Sequence, residues 1–452
     1  MVQALGQRAV VIGGSVAGLM TARVLAHHFE SVTVLDRDVI EDRPALHRSI
    51  PQGHHYHALL LGGQQVLSSL FDGFADDLHA LGAVRFRLGK EIAFILPGGG
   101  KAYTMSGAVK EPRDLGFDAH SQSRGLIEHC VRKRALAIPA VDLQTGCTVQ
   151  GLVHRNGRVT GVHYEGPAGP VTVAADLVVD TGGRGSHAPR WLEELGVAGP
   201  PETTIGIDFA YASTKYRLRG DHGIREGLLG FFGPAPTFPN GAYLGAIEDG
   251  LWHVSLAGRF GDYPPTDEAG FLAFARSLHT PVLHDYLEDA ERVADIVGYR
   301  FPTSVKRHYE RLPSFPTGFL VLGDAICSFN PIYGQGMSSA ALQVQALQGL
   351  LSERGAGSRD LDGLATAFFP RAAQVIATPW TLAASLDLAY PQTVGDRSGA
   401  SPERARYFGA LNALAAVDVE VQKLMTEVFH LARPLSALMD EPLRSRVLAK
   451  AG

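Results

Sequence analysis

The hydrophobic pattern near the start of the chain predicts a strand, a helix and a second strand. Residues 8–12 (RAVVI) end in four consecutive apolar residues, as buried parallel strands do. A glycine-rich turn follows, and apolar residues then recur at helical spacing from about Ala17 to His28. A second β-branched run, VTVLD, ends at Asp36. These three segments predict a βαβ unit with parallel strands.

The same reasoning predicts further elements along the chain. VTVAADLVVDTGG at 171–183 has the β-branched density of a strand and ends in a glycine turn. GFLVLGD at 318–324 predicts a returning strand that leads into a long helix after Gly336. Other predicted helices begin after Pro51 and run through His57 to Leu70, and cover Leu126–Leu136.

From about Ile205 the pattern changes to strict alternation. IGIDFAY alternates apolar and polar residues, and GAYLGAI and LWHVSLA flank an Asp249-Gly250 turn, which predicts a β-hairpin. We therefore expect an antiparallel sheet inserted into the first fold. Beyond about Leu361 the pattern is helical, and Ser401-Pro402-Glu403 is typical of a helix start.

Composition and charge exclude several classes of protein. The 452 residues are 45% apolar and 19% charged, which provides a large core and fits two closely joined domains or one domain with large insertions. A net charge of −5 argues against a nucleic-acid partner. The chain has no apolar stretch of about 18 residues, so we expect no membrane span. Three cysteines without metal-ligand or disulfide spacing favour a reducing cytoplasm, and we expect no secretion signal.

A glycine-rich turn joins the first strand to the first helix and predicts a dinucleotide site. Gly13 permits the tight turn, Gly18 lets the helix approach the strand, and the helix N-terminus offers N–H groups to a pyrophosphate. Asp36 ends the second strand, where a carboxylate accepts hydrogen bonds from an adenosine ribose. The full motif is Gly13, Gly14, Ser15, Val16, Ala17 and Gly18.

A second turn distinguishes FAD from NAD. The returning strand ends at Asp324, whose carboxylate suits a ribityl hydroxyl, and Gly334-Gln335-Gly336-Met337 then opens a helix after Pro331. N–H groups at a helix start stabilise negative charge on the N1/C2-carbonyl edge of a reduced isoalloxazine. The two turns together predict one bound FAD.

These motifs resemble, in order and spacing, those of the group A flavoprotein monooxygenases. The resemblance runs to about residue 352 and rests on GGSVAG, Asp36-Arg37, SQSRGLIEHC with Arg124, ADLVVDTGGRGS and GDAICSFNPIYGQGMSSA. More narrowly, IPQGHHYHALLLGG, EDGLWHVSLAG and the last hundred residues resemble the FAD-dependent epoxidases of polyether-ionophore biosynthesis. The narrower resemblance implies oxygen transfer to carbon–carbon double bonds of a polyketide chain.

The resemblance also implies a set of cofactor contacts. They are Gly13 to Gly18 at the pyrophosphate, Asp36 at the ribose, Arg37 on the adenosine side, Arg124 at the phosphates, the Val149 backbone at the adenine, Asp324 at the ribityl chain, and Pro331, Gly334, Gln335, Gly336 and Met337 around the isoalloxazine. Two positions depart from the family pattern. Ser15 replaces a glycine, and Gly182 stands where aromatic hydroxylases of the group have an Asp associated with FAD and nicotinamide binding. The electron source is therefore left open between NAD(P)H and a separate flavin reductase.

Aromatic residues on the predicted inserted sheet suggest a substrate pocket, although such residues more often belong to a core. The candidates are Phe209, Tyr211, Phe231 and Trp252, together with His57 beside the flavin. Phe209 and Tyr211 alternate and so share one face. His54, His55 and His57 have no companion carboxylate or cysteine ligands, so we predict no metal site. Cys327 is interpreted as a small buried side chain.

The sequence thus predicts a mixed α/β fold with three parts. These are a discontinuous FAD-binding domain of Rossmann type (1–84, 119–186 and 301–352), an inserted antiparallel substrate sheet (85–118 and 187–300) and a helical C-terminal region (353–452). The resemblance implies a cytoplasmic monooxygenase that transfers one oxygen atom of O2, through a flavin C4a-hydroperoxide, to an apolar unsaturated natural product.

No catalytic side chain is nominated, because the cofactor carries that chemistry. Epoxidation is the favoured reaction. Phenol hydroxylation and prenyl-type double-bond reduction stay open as alternatives. Halogenation is disfavoured because the W-x-W-x-I-P pattern of halogenases is missing, and a non-enzymatic flavin-binding role lacks a visible partner module.

Overall fold

The computed structural model describes residues 5–47, 50–220, 222–354, 361–398 and 401–451. The strands are β1 (Gly6–Ile12), β2 (Phe29–Asp36), β3 (Val84–Arg87), β4 (Ile92–Ile95), β5 (Lys101–Ala102), β6 (Asp118–Ser121), β7 (Val141–Thr145), β8 (Thr148–Arg155), β9 (Arg158–Gly166), β10 (Gly169–Ala174), β11 (Leu177–Asp180), β12 (Glu202–Arg217), β13 (Leu228–Phe232), β14 (Gly241–Ala246), β15 (Trp252–Arg259), β16 (Glu291–Arg292), β17 (Val297–Arg307), β18 (Phe319–Val321) and β19 (Cys327–Ser328). The helices are α1 (Val16–Leu25), α2 (Leu61–Leu70), α3 (Phe74–Ala80), α4 (Arg124–Leu136), α5 (Ala188–Glu194), α6 (Glu268–Ser277), α7 (Val282–Glu288), α8 (Gly336–Glu353), α9 (Leu364–Asp387), α10 (Pro402–Ala415), α11 (Val419–Phe429) and α12 (Leu443–Ala451).

A five-stranded parallel sheet forms the nucleotide-binding half. Its order is β18-β11-β1-β2-β7, and every pairing in it is parallel. Helix α1 connects β1 to β2, so the predicted βαβ opening is confirmed. Most central residues of β1, β11 and β18 are apolar and buried, and helices α1 and α4 pack on the sheet. The carboxyl ends of β1, β2 and β18 therefore meet along one edge.

A larger mixed sheet carries the predicted hairpin. Its order is β19-β17-β12-β15-β14-β13-β4-β5, with β16 paired to β12, and its long strands are antiparallel. The predicted turn between β14 and β15 is confirmed, with Asp249 at φ +63°. The sheet extends to Arg307 and Ser328, so β17 continues past residue 300 into the segment expected to belong to the FAD domain.

Helix α9 packs against β12 of the large sheet, with Trp380 and Ala384 on the cluster that contains Phe209. Gly206 in β12 and Val394 form a short antiparallel bridge in which each N–H donates to the other carbonyl. The guanidinium of Arg113, in the loop between β5 and β6, donates to the carbonyl groups of Ala415 and Ala416 at the end of α10. Ser401 caps α10 as expected, because its side chain accepts a hydrogen bond from the Arg404 amide.

Two predicted elements differ from the structure. The helix expected from Pro51 to Leu70 is a 3₁₀ turn at Pro51–His54, an extended segment, and then α2. The extended segment arises because the Tyr56 amide donates to Ser255 in β15, a tertiary contact that no local pattern reveals. The run at 171–183 is divided between β10 and β11, which belong to different sheets.

The predicted fold class is confirmed: the protein combines a Rossmann-type parallel sheet, a large antiparallel sheet and a helical C-terminal region. No helix among the described residues is long and apolar enough to cross a membrane.

Candidate functional site

The turn after β1 has the geometry of a pyrophosphate cradle. Gly13 has φ +102°, a conformation that residues with a side chain rarely adopt. A Cβ on Gly18 would lie 1.8 Å from the Gly13 carbonyl oxygen, so this position accepts glycine alone. The N–H groups at the start of α1 point out of this turn, since helix N-termini leave their first amides unpaired.

Ser15 replaces a glycine and takes part in a buried ionic cluster. Its hydroxyl contacts the Glu128 carboxylate and accepts from Arg124, whose guanidinium lies 2.7 Å from the same carboxylate. His47 approaches the other Glu128 oxygen at 3.1 Å. Burial acts to raise the pKa of Glu128, but Arg124, His47 and Ser15 outweigh it and lower the pKa overall. The ionised carboxylate therefore holds Arg124 beside the cradle, where the sequence placed it.

Asp36 lies at the adenosine end and is oriented by backbone amides. Its carboxylate accepts from the Gly14 amide at 2.6 Å and from the Asp38 amide at 2.8 Å. Each oxygen keeps a second lone pair that suits a ribose hydroxyl. Asp38 and His47 come close enough to Asp36 to form a candidate cation site, but the contacts described above already engage Asp36 and His47.

The other expected adenosine contacts lie nearby in the fold. Arg37 is exposed immediately after β2. Val149 lies in β8, two residues after Cys147, whose amide donates to the Asp36 carbonyl. The adenosine-end residues predicted from separate parts of the sequence are therefore close along this edge of the sheet.

Asp324 is the polar group at the opposite end of the cradle. Gly323 has φ +74°, and its amide donates to Gln343 of α8 at 2.8 Å. Burial raises the pKa of Asp324 to about 6, although Arg124 and Arg184 act to lower it. In the part of the chain that the structure describes, the Asp324 carboxylate accepts no hydrogen bond from a protein group. A half-buried carboxylate without a protein donor suits a ligand hydroxyl.

The loop before α8 completes the site. Gly334 has φ +65° where a Cβ would lie 2.9 Å from Ala58, and the Gln335 side-chain oxygen is buried without a partner. The first residue of α8, Gly336, lies beside Asp324, since a Cβ there would be 3.6 Å from its carboxylate. A glycine cradle, an unpartnered carboxylate and a free helix N-terminus along one edge fit an FAD.

Arg184 is a site residue that the sequence reasoning missed. It lies 4.4 Å from the centroid of the Phe301 ring, donates to the Thr303 carbonyl, and acts to lower the pKa of Asp324. It follows Gly182 in the segment where the family's Asp is absent. The sequence could have indicated Arg184 through its position, two residues after Gly182.

A buried polar cluster joins α9 to the loop at residues 330–335, which leads into α8 and is called the flavin loop below. Asp387 accepts from Asn330 at 2.7 Å, from the Tyr333 hydroxyl at 2.8 Å and from Arg259 at 3.1 Å. Arg259 also lies 4.9 Å from the centroid of the Phe209 ring. The C-terminal region therefore fixes the loop that leads into α8.

A cavity of about 810 Å³ adjoins that loop. The sheet contributes Tyr211, Tyr243 and Ser255, and the α9 helix contributes Trp380 and Leu382. Much of the remaining wall is apolar or aromatic and comes from segments distant in sequence, including Tyr56, Leu60, Phe86, Leu88, Ile92, Phe94, Leu228, Ile332, Tyr333, Leu388, Phe408, Met425 and Phe429. Its size and lining match a site for a small apolar molecule.

The predicted pocket residues lie in different places. Tyr211 lines the cavity, as expected for its side of β12. Phe209 is buried next to Arg259, while Phe231 and Trp252 pack in a core with α6 and α7, so the described cavity wall does not include these three. His57 is not part of the described wall either. It lies close enough to Arg124 and Glu128, beside the glycine cradle, for both charges to act on its pKa.

His55 and His253 are buried, His57 is half-buried, and all three rings are neutral. Desolvation lowers the pKa of His55 to about 2, that of His57 to about 4 and that of His253 to about 3. Their ring nitrogens pair with protein oxygens: His55 with Ser213, His57 with the His55 carbonyl, and His253 with the His54 carbonyl. These pairings give the rings a structural role.

The tyrosines of the cavity are neutral at physiological pH. Burial raises the pKa of Tyr56 to about 12, and it raises those of Tyr211, Tyr243 and Tyr333 further above their usual range. The nearest carboxylate to Tyr333 is Asp387, which the Arg259 guanidinium already pairs. The flavin end of the cavity therefore offers hydroxyl groups and apolar surface.

Comparison with known proteins agrees with this geometry. A family model described as an FAD binding domain matches residues 76–214. Protein Rv3254 of Mycobacterium tuberculosis is 33% identical over 353 residues, which is 76% of this chain and 73% of that protein. Squalene epoxidase 2, mitochondrial, of Arabidopsis thaliana is 23% identical over 76% of this chain but only 54% of its own length.

Two solved structures share the fold. A flavoprotein/dehydrogenase from Cytophaga hutchinsonii superimposes with a TM-score of 0.68 at 15% identity, covering 98% of both chains. The p-nitrophenol 4-monooxygenase of Pseudomonas putida gives 0.64 at 16% identity, covering 94% of this chain and 98% of that one. From the identity to Rv3254 and the FAD-binding domain, we conclude that the chain belongs to the family of Rv3254 and is an FAD-dependent enzyme with the flavoprotein monooxygenase fold.

Proposed function

We propose that the protein transfers one oxygen atom from O2 to an apolar, unsaturated natural-product intermediate, as an epoxide. The observation that carries this proposal is the apolar cavity that shares its wall with the flavin loop at Pro331–Gln335. The relatives named squalene epoxidases support the same reaction class. The closeness to polyether-ionophore epoxidases, and with it a polyketide substrate, is the finer form of this proposal.

The charge state of the cavity favours an alkene over a phenol as substrate. Hydroxylation of a phenol needs a nearby base that forms the phenolate. The tyrosines around Tyr333 carry raised pKa values and stay protonated, and Asp387 is paired with Arg259. An alkene needs no such base, so phenol hydroxylation is the second candidate.

The protein's own groups bind and orient the cofactor. The α1 start and Arg124 would hold the pyrophosphate, Asp36 the ribose, Asp324 the ribityl chain, and the α8 start the isoalloxazine edge. Bound FAD, once reduced, supplies the activation of dioxygen. The apolar wall excludes water from that chemistry.

The electron donor is proposed as NAD(P)H or a separate flavin reductase. Gly182 lacks the carboxylate associated with nicotinamide binding in aromatic hydroxylases of the group. Stopped-flow mixing with NADPH, and separately with a reductase and free flavin, distinguishes the two sources by the rate of flavin bleaching. Cytoplasmic location is proposed as well, because Cys130, Cys147 and Cys327 are free thiols, as is usual in a reducing compartment.

The direct test uses labelled dioxygen. Purified protein, a reductant and an unsaturated apolar probe such as geranylacetone are incubated under ¹⁸O₂, and the product is analysed by mass spectrometry. We expect one labelled oxygen in an epoxide. Unlabelled product or a saturated alkene overturns monooxygenation in favour of a reductase. Label in an aromatic probe alone favours the hydroxylase, and halide-dependent incorporation of bromine favours a halogenase.

A further inference from the structure

The side chains of His55, Ser213 and Ser255 are hydrogen-bonded in a row that ends at the cavity. His55 Nδ1 lies 2.7 Å from Ser213 Oγ, and Ser213 Oγ lies 2.7 Å from Ser255 Oγ. All three residues are buried, and Ser255 is the one that lines the cavity. The His55 ring is held in place by the Tyr211 ring, stacked 4.6 Å away between their centroids.

The direction of the hydrogen bonds along this line is fixed. Ser213 donates its proton to Ser255, so Ser213 can only accept from His55, and Nδ1 must carry the imidazole proton. A neutral ring has one such proton, and burial keeps His55 neutral. Nε2 is then the bare nitrogen, and it is buried without a partner.

Ser255 is left with a proton to give. Its oxygen already accepts from Ser213 and from the Tyr56 amide at 2.9 Å. Within the described ranges no protein acceptor takes the Ser255 hydroxyl proton, and the side chain faces the cavity. A buried donor without an acceptor is costly, which makes it a recognition point for a ligand oxygen.

We propose that Ser255 donates a hydrogen bond to an oxygen of the substrate, and that His55 and Ser213 are positioning residues that fix the direction of this donor. This rests on the proposed function and narrows its substrate class. The substrate is an apolar unsaturated molecule that carries a carbonyl or ether oxygen, rather than a pure hydrocarbon. The oxygen anchors the molecule in a cavity whose other walls are largely apolar.

The test compares two probes that differ in one oxygen. Geranylacetone is an unsaturated methyl ketone, and its partner is the hydrocarbon with a methylene in place of the carbonyl. Binding is followed by quenching of Trp380, which lines the cavity, in the FAD-loaded protein without reductant. We expect the wild type to prefer the ketone, and Ser255→Ala to weaken ketone binding about tenfold while hydrocarbon binding changes little.

A matched control is available in the same cavity. Ser385 also lines it, but its hydroxyl donates to the Thr381 carbonyl at 2.7 Å, so its proton is already used. Ser385→Ala should leave the ketone-to-hydrocarbon affinity ratio unchanged. Ser213→Ala should reduce that ratio part of the way, because the Ser255 donor then turns freely. His55→Asn keeps an N–H near the Nδ1 position, so it should retain more of the wild-type ketone-to-hydrocarbon affinity ratio than His55→Phe.

The outcomes separate this inference from the proposed function. Equal binding of both probes by the wild type, or an unchanged ratio in Ser255→Ala, overturns the role of Ser255 while the monooxygenase proposal stands. If neither probe quenches Trp380, the apolar substrate class fails and the inference fails with it. Retention of FAD and an unchanged melting temperature confirm that each variant is folded.

Discussion

The Tyr333 hydroxyl donates a hydrogen bond of 2.8 Å to the carboxylate of Asp387, and this bond joins helix α9 to the loop that opens α8. The same carboxylate accepts from Arg259, which is 4% exposed. Removal of one partner from such a buried ion pair leaves an uncompensated charge. The C-terminal region thus contributes to the cofactor site without lining the glycine cradle.

Asp387→Ala should destabilise the protein by about 3–5 kcal/mol, because Arg259 is then buried unpaired. Chemical denaturation followed by circular dichroism measures this. The double variant Asp387→Leu with Arg259→Met should recover much of the loss, since it removes both charges. If the single variant is as stable as the wild type, the pair does not hold the loop.

Asp324→Asn should weaken FAD binding by about 1.5–3 kcal/mol, because a ribityl hydroxyl loses its charged acceptor. Fluorescence titration of the FAD-free protein gives the dissociation constant. Asp249→Asn, in the exposed β14–β15 turn, is the matched control and should bind FAD as the wild type does. An unchanged constant in Asp324→Asn contradicts the ribityl assignment.

The pKa of Asp324 also predicts a pH dependence. Burial raises this pKa to about 6, so the carboxyl group is protonated below that pH and accepts the ribityl hydrogen bond less well. FAD affinity should therefore fall as the pH is lowered from about 7 to about 5, and Asp324→Asn should remove this dependence.

The stability of the FAD-free protein should depend on pH in the opposite direction. The folded state binds this proton more tightly than the unfolded state, so its contribution to stability grows as the pH falls from about 6 to about 4.

Gly18→Ala should abolish FAD binding or folding, because its Cβ would lie 1.8 Å from the Gly13 carbonyl oxygen. Gly349→Ala is the control within α8, where a Cβ meets no atom within 4 Å. It should stabilise the protein by about 0.5–1 kcal/mol, since glycine is a poor helix former. Thermal unfolding and FAD content report both effects. A yellow, stable Gly18→Ala protein would falsify the cradle geometry.

Tyr211→Ala should increase hydrogen peroxide release per reductant consumed, because it opens the cavity wall to water. Phe231→Ala removes an aromatic ring of similar size from the core with α6 and should destabilise the protein without raising this ratio. A peroxide assay together with oxygen uptake gives the ratio for each. Equal leakage from both variants indicates general loosening and contradicts a specific role for Tyr211.

Turnover should be insensitive to metal chelators. Among the described residues, His55, His57 and His253 do not belong to any group of three ligand atoms close enough to hold a metal ion. Oxygen uptake with and without EDTA is the measurement. Loss of turnover that added zinc or iron restores would reverse this interpretation.

The parts of the fold set by local sequence were predictable. The βαβ unit, the turn at Asp249 and the cap at Ser401 depend on glycine, β-branched and capping residues within a few positions. The segment after Pro51 was predicted wrongly, because its backbone pairs with Ser255 far away in sequence. Alternation placed Tyr211 on one face of β12 but could not reveal that Phe231 belongs to another core.

The residues of the candidate site also fall into those with a local sequence motif and those positioned by tertiary contacts. Glycine and carboxylate positions of a nucleotide-binding turn form a local motif, so Gly13, Asp36 and Asp324 could be predicted as cofactor residues from the sequence alone. Tyr56 and Asp387 act through contacts that arise only when distant segments meet, and no local pattern marks them. The cavity is therefore a property of the tertiary structure.

The loop from Asn330 to Gln335 has two faces, with Ile332 and Tyr333 in the cavity wall and its end at the first turn of α8. A ligand in the cavity would therefore touch the same segment whose end meets the isoalloxazine on the proposed cofactor placement. Because amides at the start of a helix contribute to the electrostatic potential around them, the cavity and the flavin would be coupled through this one loop.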